Sequence, residues 1–278
     1  MLDTHERSRA DVTVAVTPVS EQQVPSLGIM RTAADGRIVE FVEKPTDPET
    51  IARLRTPGLP GGCTHLASMG IYLIRRERLA ALLEREHATD FGKHVIPMAI
   101  REDHVQSHLF TGYWEDIGTI RAFYEANLAL ARPDPPFDLY DAEHRFYTRQ
   151  RHLPPTRYLG ESRVSDSLIA DGCTIERCTI EGSVIGIRTR VREGARIENS
   201  IVFGHDHYRD PCDGNRPLEI GAGAVIRRAI IDKNVSIGAG ARLINAEGVL
   251  EAETDLVRIR DGILCVPKGK VIPAGTVI

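Results

Sequence analysis

The sequence predicts an α/β unit followed by a left-handed parallel β-helix, and three observations support this fold class. Strand-like and helix-like segments alternate up to about Asn127, and a proline-rich stretch follows at 131–155. Beyond it, aliphatic residues recur at steps of five or six, which is typical of short hexapeptide strands stacked around a triangular prism. We therefore expect an α/β unit over 1–130, a linker over 131–155 and a β-helix over 156–278.

The elements of the first part follow from local patterns. Residues 11–16 alternate with β-branched side chains and predict a buried strand, and residues 69–74 predict another. The segments 27–31 and 37–42 flank Asp35-Gly36, a turn dipeptide that predicts a hairpin. Leucines at helical spacing predict a helix over 76–85, and an amphipathic pattern predicts a second helix over 119–130. Strands that alternate with helices indicate a mixed α/β sheet.

The repeat of the third part predicts which side chains point into the prism. The predicted inward residues are Ile169, Ile175, Ile180, Ile185, Val191, Ile197, Ile220, Ile226, Ile231, Ile237 and Leu243. Residues 203–217 break the period, so we expect a loop ejected from the prism that carries His205 and His207. Cys173 and Cys178 are expected at outward or corner positions.

Composition and charge exclude several classes of partner. The net charge is −4 and no basic stripe indicates nucleic acid as a partner. No apolar run is long enough to predict a membrane span, and the charged first residues do not form a signal peptide. The five cysteines are scattered without Cys-x-x-Cys spacing, so neither a disulfide framework nor a zinc site is predicted. A reducing cytoplasm is the expected location.

Three short motifs are candidates for chemistry, and each allows two interpretations. Glu43-Lys44-Pro45 offers a carboxylate for sugar hydroxyls and an ammonium for a phosphate, although a solvated surface pair has the same spacing. Ser68 opens a buried strand and either donates to a sugar hydroxyl or satisfies the backbone. Asp116 precedes a glycine and a helix, where it either binds magnesium or acts as an ordinary helix N-terminal acid.

In this order the motifs resemble the family of ADP-glucose pyrophosphorylase, also called glucose-1-phosphate adenylyltransferase. The resemblance is carried by residues 28–30, 41–45, 67–72, 90–97, 112–128 and the whole predicted β-helix. Residues 230–234, 245–248 and 273–278 are similar to the cyanobacterial and plant-like branch. The resemblance implies a Rossmann-like nucleotidyltransferase sheet in the first part and a role in glycogen or starch synthesis.

The resemblance also implies roles for individual residues. Gly28 would let the backbone approach the sugar, Glu43 would bind sugar hydroxyls, Lys44 would hold the phosphate of glucose 1-phosphate, and Ser68 would touch the sugar. Asp116 would bind Mg²⁺ together with a second aspartate that lies upstream in the family. ATP would be the second substrate, and ADP-glucose and pyrophosphate the products.

For the predicted β-helix, the resemblance implies binding of allosteric effectors and association into an oligomer. Lys233 and Lys268 resemble lysines that bind anionic allosteric effectors, although solvated lysines at prism corners fit the sequence equally well. The aliphatic coils and open ends of a prism favour association, and the resemblance implies a homo- or hetero-oligomer, a tetramer.

One part of the family pattern is not found among the 278 residues, namely the glycine-rich, arginine-bearing loop that holds the nucleoside triphosphate. We therefore expect the chain to be inactive alone. A non-catalytic regulatory or structural subunit is the alternative. A hexapeptide acyltransferase is less favoured, because the coils that keep the period contain no histidine.

Overall fold

The computed structural model describes residues 1–85, 88–210 and 216–278, which form two compact units, Met1–Trp114 and Glu115–Ile278. No helix in the described part of the chain combines the length and apolar character needed to cross a bilayer. The boundary between the units lies before the helix over residues 120–129, whereas the sequence placed a domain boundary after it.

The first unit is built on a five-stranded mixed sheet with the strand order β3-β2-β4-β1-β5. Its strands are β1 (Val12–Val19), β2 (Gly28–Thr32), β3 (Ile38–Glu43), β4 (His65–Ile74) and β5 (Val105–Leu109). The pair β1–β5 is parallel and the other pairs are antiparallel. The strand predicted at 69–74 is longer than expected, because β1 pairs with β4 as far back as His65.

Helices and short turns cover this sheet. They are α1 (Leu2–Ser8), α2 (Pro48–Arg53), α3 (Arg76–Leu83), α4 (Ile96–Glu102), two 3₁₀ turns (Glu21–Ser26 and Pro60–Gly62) and a π-helical turn (Phe91–Val95). Two residues determine where α2 begins. The Asp47 carboxylate caps the helix by accepting from the Thr50 amide at 2.8 Å, and Pro48 occupies the first turn.

The second unit contains helix α5 (Ile120–Ala129) and a parallel β-helix. Its strands are β6 (Arg157–Leu159), β7 (Arg163–Ser165), β8 (Leu168–Ile169), β9 (Thr174–Glu176), β10 (Thr179–Glu181), β11 (Val184–Ile185), β12 (Arg190–Val191), β13 (Arg196–Glu198), β14 (Ile201–Val202), β15 (Arg209–Asp210), β16 (Arg216–Pro217), β17 (Val225–Arg227), β18 (Ala229–Ile231), β19 (Ser236–Ile237), β20 (Arg242–Leu243), β21 (Ala252–Glu253), β22 (Arg258–Arg260), β23 (Ile263–Val266) and β24 (Val271–Ile272).

The strand register confirms the predicted repeat. Pairing stacks Val164, Ile180, Ile197, Ile226 and Leu243 in one column along a side of the prism. A second column contains Ile169, Ile185, Val202, Ile231 and Val266, and a third contains Tyr158, Ile175, Val191, Ile220, Ile237 and Ile272. Most of these side chains are fully buried in one apolar core. Parallel stacking of identical positions therefore explains the period in the sequence.

The positions of two cysteines differ from the prediction. Cys173 and Cys178 lie inside the apolar core with 1% and 5% of their surface exposed, not at outward positions. Each stands two residues before an aliphatic core residue, and alternate residues of a strand point to the same side. Burial raises the pKa of both thiols, so they are small apolar core residues.

The break in the repeat also starts later than predicted. The His205 amide donates to the Ile187 carbonyl at 2.9 Å, so the chain still follows the coil at that residue. Gly204 is packed so closely that a Cβ there would lie 2.1 Å from the Ile187 oxygen. Beyond it, β15 and β16 pair antiparallel as a small protrusion. Residues 211–215 of the predicted loop lie outside the described residues.

Helix α5 packs within the second unit. The Thr119 hydroxyl caps its first turn by accepting from the Ala122 amide at 3.1 Å. Tyr124 packs against Ile201, Ile230 and Ile263, and its hydroxyl donates to the Asn199 carbonyl at 2.5 Å. This contact with the β-helix assigns α5 to the second unit. Residues 130–156 contain neither a helix nor a strand.

Candidate functional site

Three of the sequence-predicted residues lie in one row across the sheet of the first unit. Glu43 at the end of β3 is paired with Gly28 at the start of β2. Strands β2 and β4 are antiparallel and Ile29 is opposite Ala67, so Ser68 of β4 lies opposite Gly28 of β2. Residues opposite one another in antiparallel strands point to the same face. The fold thus places Glu43 and Ser68 on either side of Gly28.

The gap at Gly28 is occupied by its neighbours. A Cβ at this position would lie 2.7 Å from Oε2 of Glu43 and 2.7 Å from the ring of Phe41. A Cβ on Gly92 would lie 3.0 Å from the same Glu43 oxygen. Contacts this short show that the Glu43 carboxylate lies against two glycines, one on the sheet and one in the π-helical turn. Gly28 was among the predicted site residues, whereas Gly92 was not.

The turn that carries Gly92 is fixed by Asp90. The Asp90 carboxylate accepts from the Lys93 amide at 2.8 Å, and this hydrogen bond lowers the pKa of Asp90. The ring of Phe91 stacks on Tyr72 of β4, with centroids 5.5 Å apart and planes 15° from parallel. Asp90 and the stacked pair of Phe91 and Tyr72 thus hold the turn whose Gly92 lies against the Glu43 carboxylate, and sequence reasoning did not assign them to the site.

Lys44 has an unusual backbone. Its φ is 49°, in the left-handed region, and its amide donates to the Leu27 carbonyl at 3.0 Å. Such a conformation costs a residue with a Cβ about 1 kcal/mol or more. In the described part of the first unit, the other non-glycine residue with positive φ is Arg9, which ends α1. The fold therefore holds Lys44 in a strained conformation directly beside Glu43, and its side chain is exposed.

Glu43 and Lys44 have no polar partner among the described residues: no hydrogen bond or ion pair involves their charged groups. The neighbouring Glu40 differs, because it accepts from Arg31 at 3.1 Å and from Arg53 at 2.9 Å. Burial opposes ionisation of Glu40, but these two guanidinium groups outweigh it and lower the pKa of Glu40. Arg31 and Arg53 thus form salt bridges with Glu40 and not with Glu43. The charges of Glu43 and Lys44 are available to a ligand.

The Ser68 hydroxyl satisfies the backbone, as one of its two interpretations predicted, and its contact with a sugar stays a prediction. Its oxygen accepts from the Gly70 amide at 3.2 Å, which satisfies the backbone at a β-bulge between β1 and β4. A serine hydroxyl also carries a proton, and no described residue accepts it. Ser68 can therefore donate to a ligand on the face of the sheet that also carries Glu43.

Two family models match the chain. Residues 1–132 match a model described as Nucleotidyl transferase, and residues 151–277 match a model described as GLGC left-handed parallel β-helix domain. The chain joins a nucleotidyl transferase domain to a GLGC-type β-helix domain. The predicted fold class is confirmed, including the left hand of the β-helix. Helix α5 falls within the nucleotidyl transferase match although it packs with the second unit.

Asp116 lies in the second unit, in the loop before α5. Its Oδ1 accepts from the Gly118 amide at 3.0 Å, and the side chain is exposed. Among the described residues, no group of three or more His, Cys, Asp and Glu side chains is placed to hold a metal. Mg²⁺ is usually held by one or two carboxylates with phosphates and water, and the role of Asp116 as one such ligand stays a prediction.

Lys233 and Lys268 of the GLGC-type domain are both near Asp206. The Lys233 ammonium donates to Asp206 Oδ1 at 3.0 Å, and Asn234 donates to Oδ2 at 3.1 Å. These hydrogen bonds, and the charges of Lys233 and Lys268, lower the pKa of Asp206. Lys268 is exposed. The structure therefore brings the two predicted lysines together, but with an acidic partner that sequence reasoning did not foresee.

Proposed function

We propose that the nucleotidyl transferase domain of this chain binds glucose 1-phosphate for the glucose-1-phosphate adenylyltransferase reaction of glycogen or starch synthesis. In this reaction ATP and glucose 1-phosphate give ADP-glucose and pyrophosphate. One observation carries the proposal: Glu43 and Lys44 are adjacent in the chain, their charged groups are unpaired among the described residues, and the Glu43 carboxylate lies against Gly28. The joined nucleotidyl transferase and GLGC-type domains support the family part of the proposal.

Each residue contributes a group that suits a sugar phosphate. The Glu43 carboxylate accepts from sugar hydroxyls, and the Ser68 hydroxyl donates to one. The missing side chain at Gly28 leaves room for the Glu43 carboxylate to lie against the sheet, where it is held for the sugar. Lys44 provides the positive charge for the phosphate, and its side chain is exposed and unpaired among the described residues.

The proposed chemistry is the attack of a glucose 1-phosphate oxygen on the α-phosphorus of ATP. The P–O bond to pyrophosphate breaks as the new P–O bond forms, so catalysis depends largely on positioning and charge neutralisation. Lys44 holds the attacking phosphate, and Glu43 and Ser68 fix the sugar that carries it. When Mg²⁺ is bound, it supplies charge neutralisation at the phosphates, and Asp116 would be one of its ligands.

The GLGC-type domain has two proposed roles, assembly and regulation. Tyr158 and Val164 belong to the first coil and are the first residues of two core columns. Because no coil packs before them, 55% of the surface of Tyr158 and 38% of that of Val164 are exposed. An open end of this kind favours association, and we propose a homo- or hetero-tetramer. Lys233 and Lys268 would bind an anionic effector, which has to displace Asp206 from Lys233.

Isothermal titration of glucose 1-phosphate into the purified chain tests the proposal. Lys44→Ala should weaken binding by about 10- to 100-fold, the value of a hydrogen bond to a charged group. Lys270→Ala, a lysine of the second unit, is the matched control and should leave affinity unchanged. Equal affinity of Lys44→Ala and the parent would refute the assignment. An assay of pyrophosphate release from ATP then separates a catalytic chain from a non-catalytic subunit that still binds the sugar phosphate.

A further inference from the structure

A buried histidine lies behind the candidate site and has no role in the chemistry described above. His65 is the first residue of β4, and none of its surface is exposed. Its Nε2 is 2.9 Å from the Ile51 carbonyl oxygen, and its Nδ1 is 2.8 Å from the Thr64 hydroxyl. A carbonyl oxygen only accepts, so Nε2 carries the proton and donates to Ile51.

The hydrogen bond from His65 connects the sheet to α2. Ile51 lies in this helix, which spans Pro48–Arg53 and is too short to be stable without tertiary contacts. The side chain of Ile51 packs in an apolar cluster with Leu27, whose carbonyl holds the Lys44 amide. His65 therefore fixes the position of α2. This helix packs in the same apolar cluster as Leu27, the residue whose carbonyl accepts from the Lys44 amide.

The segment from α2 back to Lys44 is short and stiff. Pro45 directly follows Lys44 and is buried, and Pro48 opens α2. Each proline fixes its own φ and restricts the residue before it. A displacement of α2 is therefore transmitted through residues 45–47 to Lys44, whose left-handed backbone has to be maintained by its surroundings.

We propose that His65 is a positioning residue that sets the Lys44 ammonium for the phosphate of the sugar substrate, acting through the Ile51 carbonyl and α2. The inference rests on the proposed function of Lys44. Another contact, Arg53 with Glu40, also ties α2 to the sheet, so the helix remains folded without His65 but loses its fixed position. The effect should fall on the phosphate side of the site, because Glu43 belongs to β3 and is held by strand pairing.

The test compares His65→Leu, which fills the space without a donor, with His65→Gln, whose side-chain amide can donate to Ile51 and accept from Thr64. Affinities for glucose 1-phosphate and for glucose are measured by titration calorimetry and NMR. His65→Leu should weaken glucose 1-phosphate binding by about tenfold, since small misplacements of a binding group have effects of this size or larger. Glucose affinity should be unchanged, and His65→Gln should restore glucose 1-phosphate affinity.

A second measurement does not depend on any ligand. Hydrogen exchange of the Lys44 amide, which is bonded to the Leu27 carbonyl, should be faster in His65→Leu than in the parent and should return to the parent rate in His65→Gln. Equal loss of glucose and glucose 1-phosphate binding, or an unchanged Lys44 exchange rate, would overturn the positioning role. If the parent binds no glucose 1-phosphate, the proposed function fails, and the exchange rates still decide whether His65 controls Lys44.

Discussion

The charged residues of the β-helix differ from those of the candidate site in whether they have partners. Along the β-helix, Arg192 pairs with Glu219 at 2.7 Å, Arg177 with Glu193 at 2.7 Å and Arg227 with Glu198 at 2.8 Å. At the site, Glu43 and Lys44 lack such partners among the described residues. Charges that neighbours satisfy are already occupied, although exposed pairs of this kind add little to stability, whereas adjacent unpaired charges of opposite sign are available to a ligand.

The backbone shows the same difference. In the β-helix, positive φ recurs at turns between strands, for example at Arg177, Asn199, Arg228 and Asn234, so it is a consequence of the repeat. In the first unit, Lys44 has this conformation at a single strand end, beside the unpaired Glu43. Strain that a repeat imposes says little about function, but the strain at Lys44 lies beside unpaired charges, and that combination motivates the hypothesis of a site.

The largest expected effect tests the stacked core. Ile180→Ala should lower the free energy of unfolding by about 3 kcal/mol, because a fully buried side chain in a stack leaves a cavity. Val164→Ala removes a residue from the same column at the open end and should cost less than about 1 kcal/mol. Denaturant unfolding followed by circular dichroism measures both. Equal losses would show that the columns do not share one packed core.

The next effect is a dependence of stability on pH. His205 is buried, neither ring nitrogen has a hydrogen-bond partner among the described residues, and burial lowers its pKa from 6.5 to about 4. Below pH 6.5 the unfolded chain binds a proton that the folded chain does not bind until about pH 4. The free energy of unfolding should therefore fall as pH decreases across this window, by about 1.4 kcal/mol per pH unit at most.

His205→Leu should remove this pH-dependent loss of stability, and His207→Leu is the control because His207 is exposed. Unfolding curves at several pH values between about 4 and 6.5 provide the measurement, because these are the pKa values of His205 in the folded and the unfolded chain. Identical pH profiles for the parent and His205→Leu would contradict a buried neutral imidazole.

A smaller effect is expected at Gly28. Its replacement by alanine places a Cβ 2.7 Å from the Glu43 carboxylate and from the Phe41 ring, so one of them has to move. Glucose 1-phosphate binding should weaken by about tenfold, because the carboxylate loses its position against the sugar. Thr32→Ala, at the other end of β2, is the control. Retained affinity in Gly28→Ala, measured by calorimetry, would show that ligand binding does not depend on the position of Glu43 against Gly28.

The smallest effect concerns the lysines of the β-helix. Asp206→Asn frees the Lys233 ammonium and should strengthen binding of inorganic phosphate by about threefold, in keeping with the modest energy of a half-exposed ion pair. Asp255→Asn, an exposed aspartate of the same domain, should have no effect. Phosphate titrations followed by NMR compare the variants. Weaker phosphate binding in Asp206→Asn would indicate that Asp206 organises the lysines instead of blocking them.

Much of the fold was predictable because it depends on local patterns. The hairpin around Asp35-Gly36 forms as predicted, with the Arg37 amide donating to the Asp35 carboxylate at 3.0 Å. The columns of Ile180 and Ile197 follow directly from the repeat. The burial of Cys173 was not predicted, because the period of the aliphatic residues conceals a second inward position occupied by small side chains.

The candidate site was predictable only in part. Glu43, Lys44 and Ser68 were named from the order of motifs, and their roles in binding stay predictions. Gly92 is distant in sequence from Glu43, so its contact with the carboxylate depends on tertiary packing. Sequence alone also does not show that Arg31 and Arg53 bind Glu40 and leave Glu43 free.

The central claim is that the charged groups of Glu43 and Lys44 bind a ligand and contribute little to the stability of the fold. The double variant Glu43→Gln/Lys44→Ala tests it directly when the free energy of unfolding and the affinity for glucose 1-phosphate are measured on the same samples. We predict a stability within about 0.5 kcal/mol of the parent and no detectable binding. A marked loss of stability with binding retained would contradict the account.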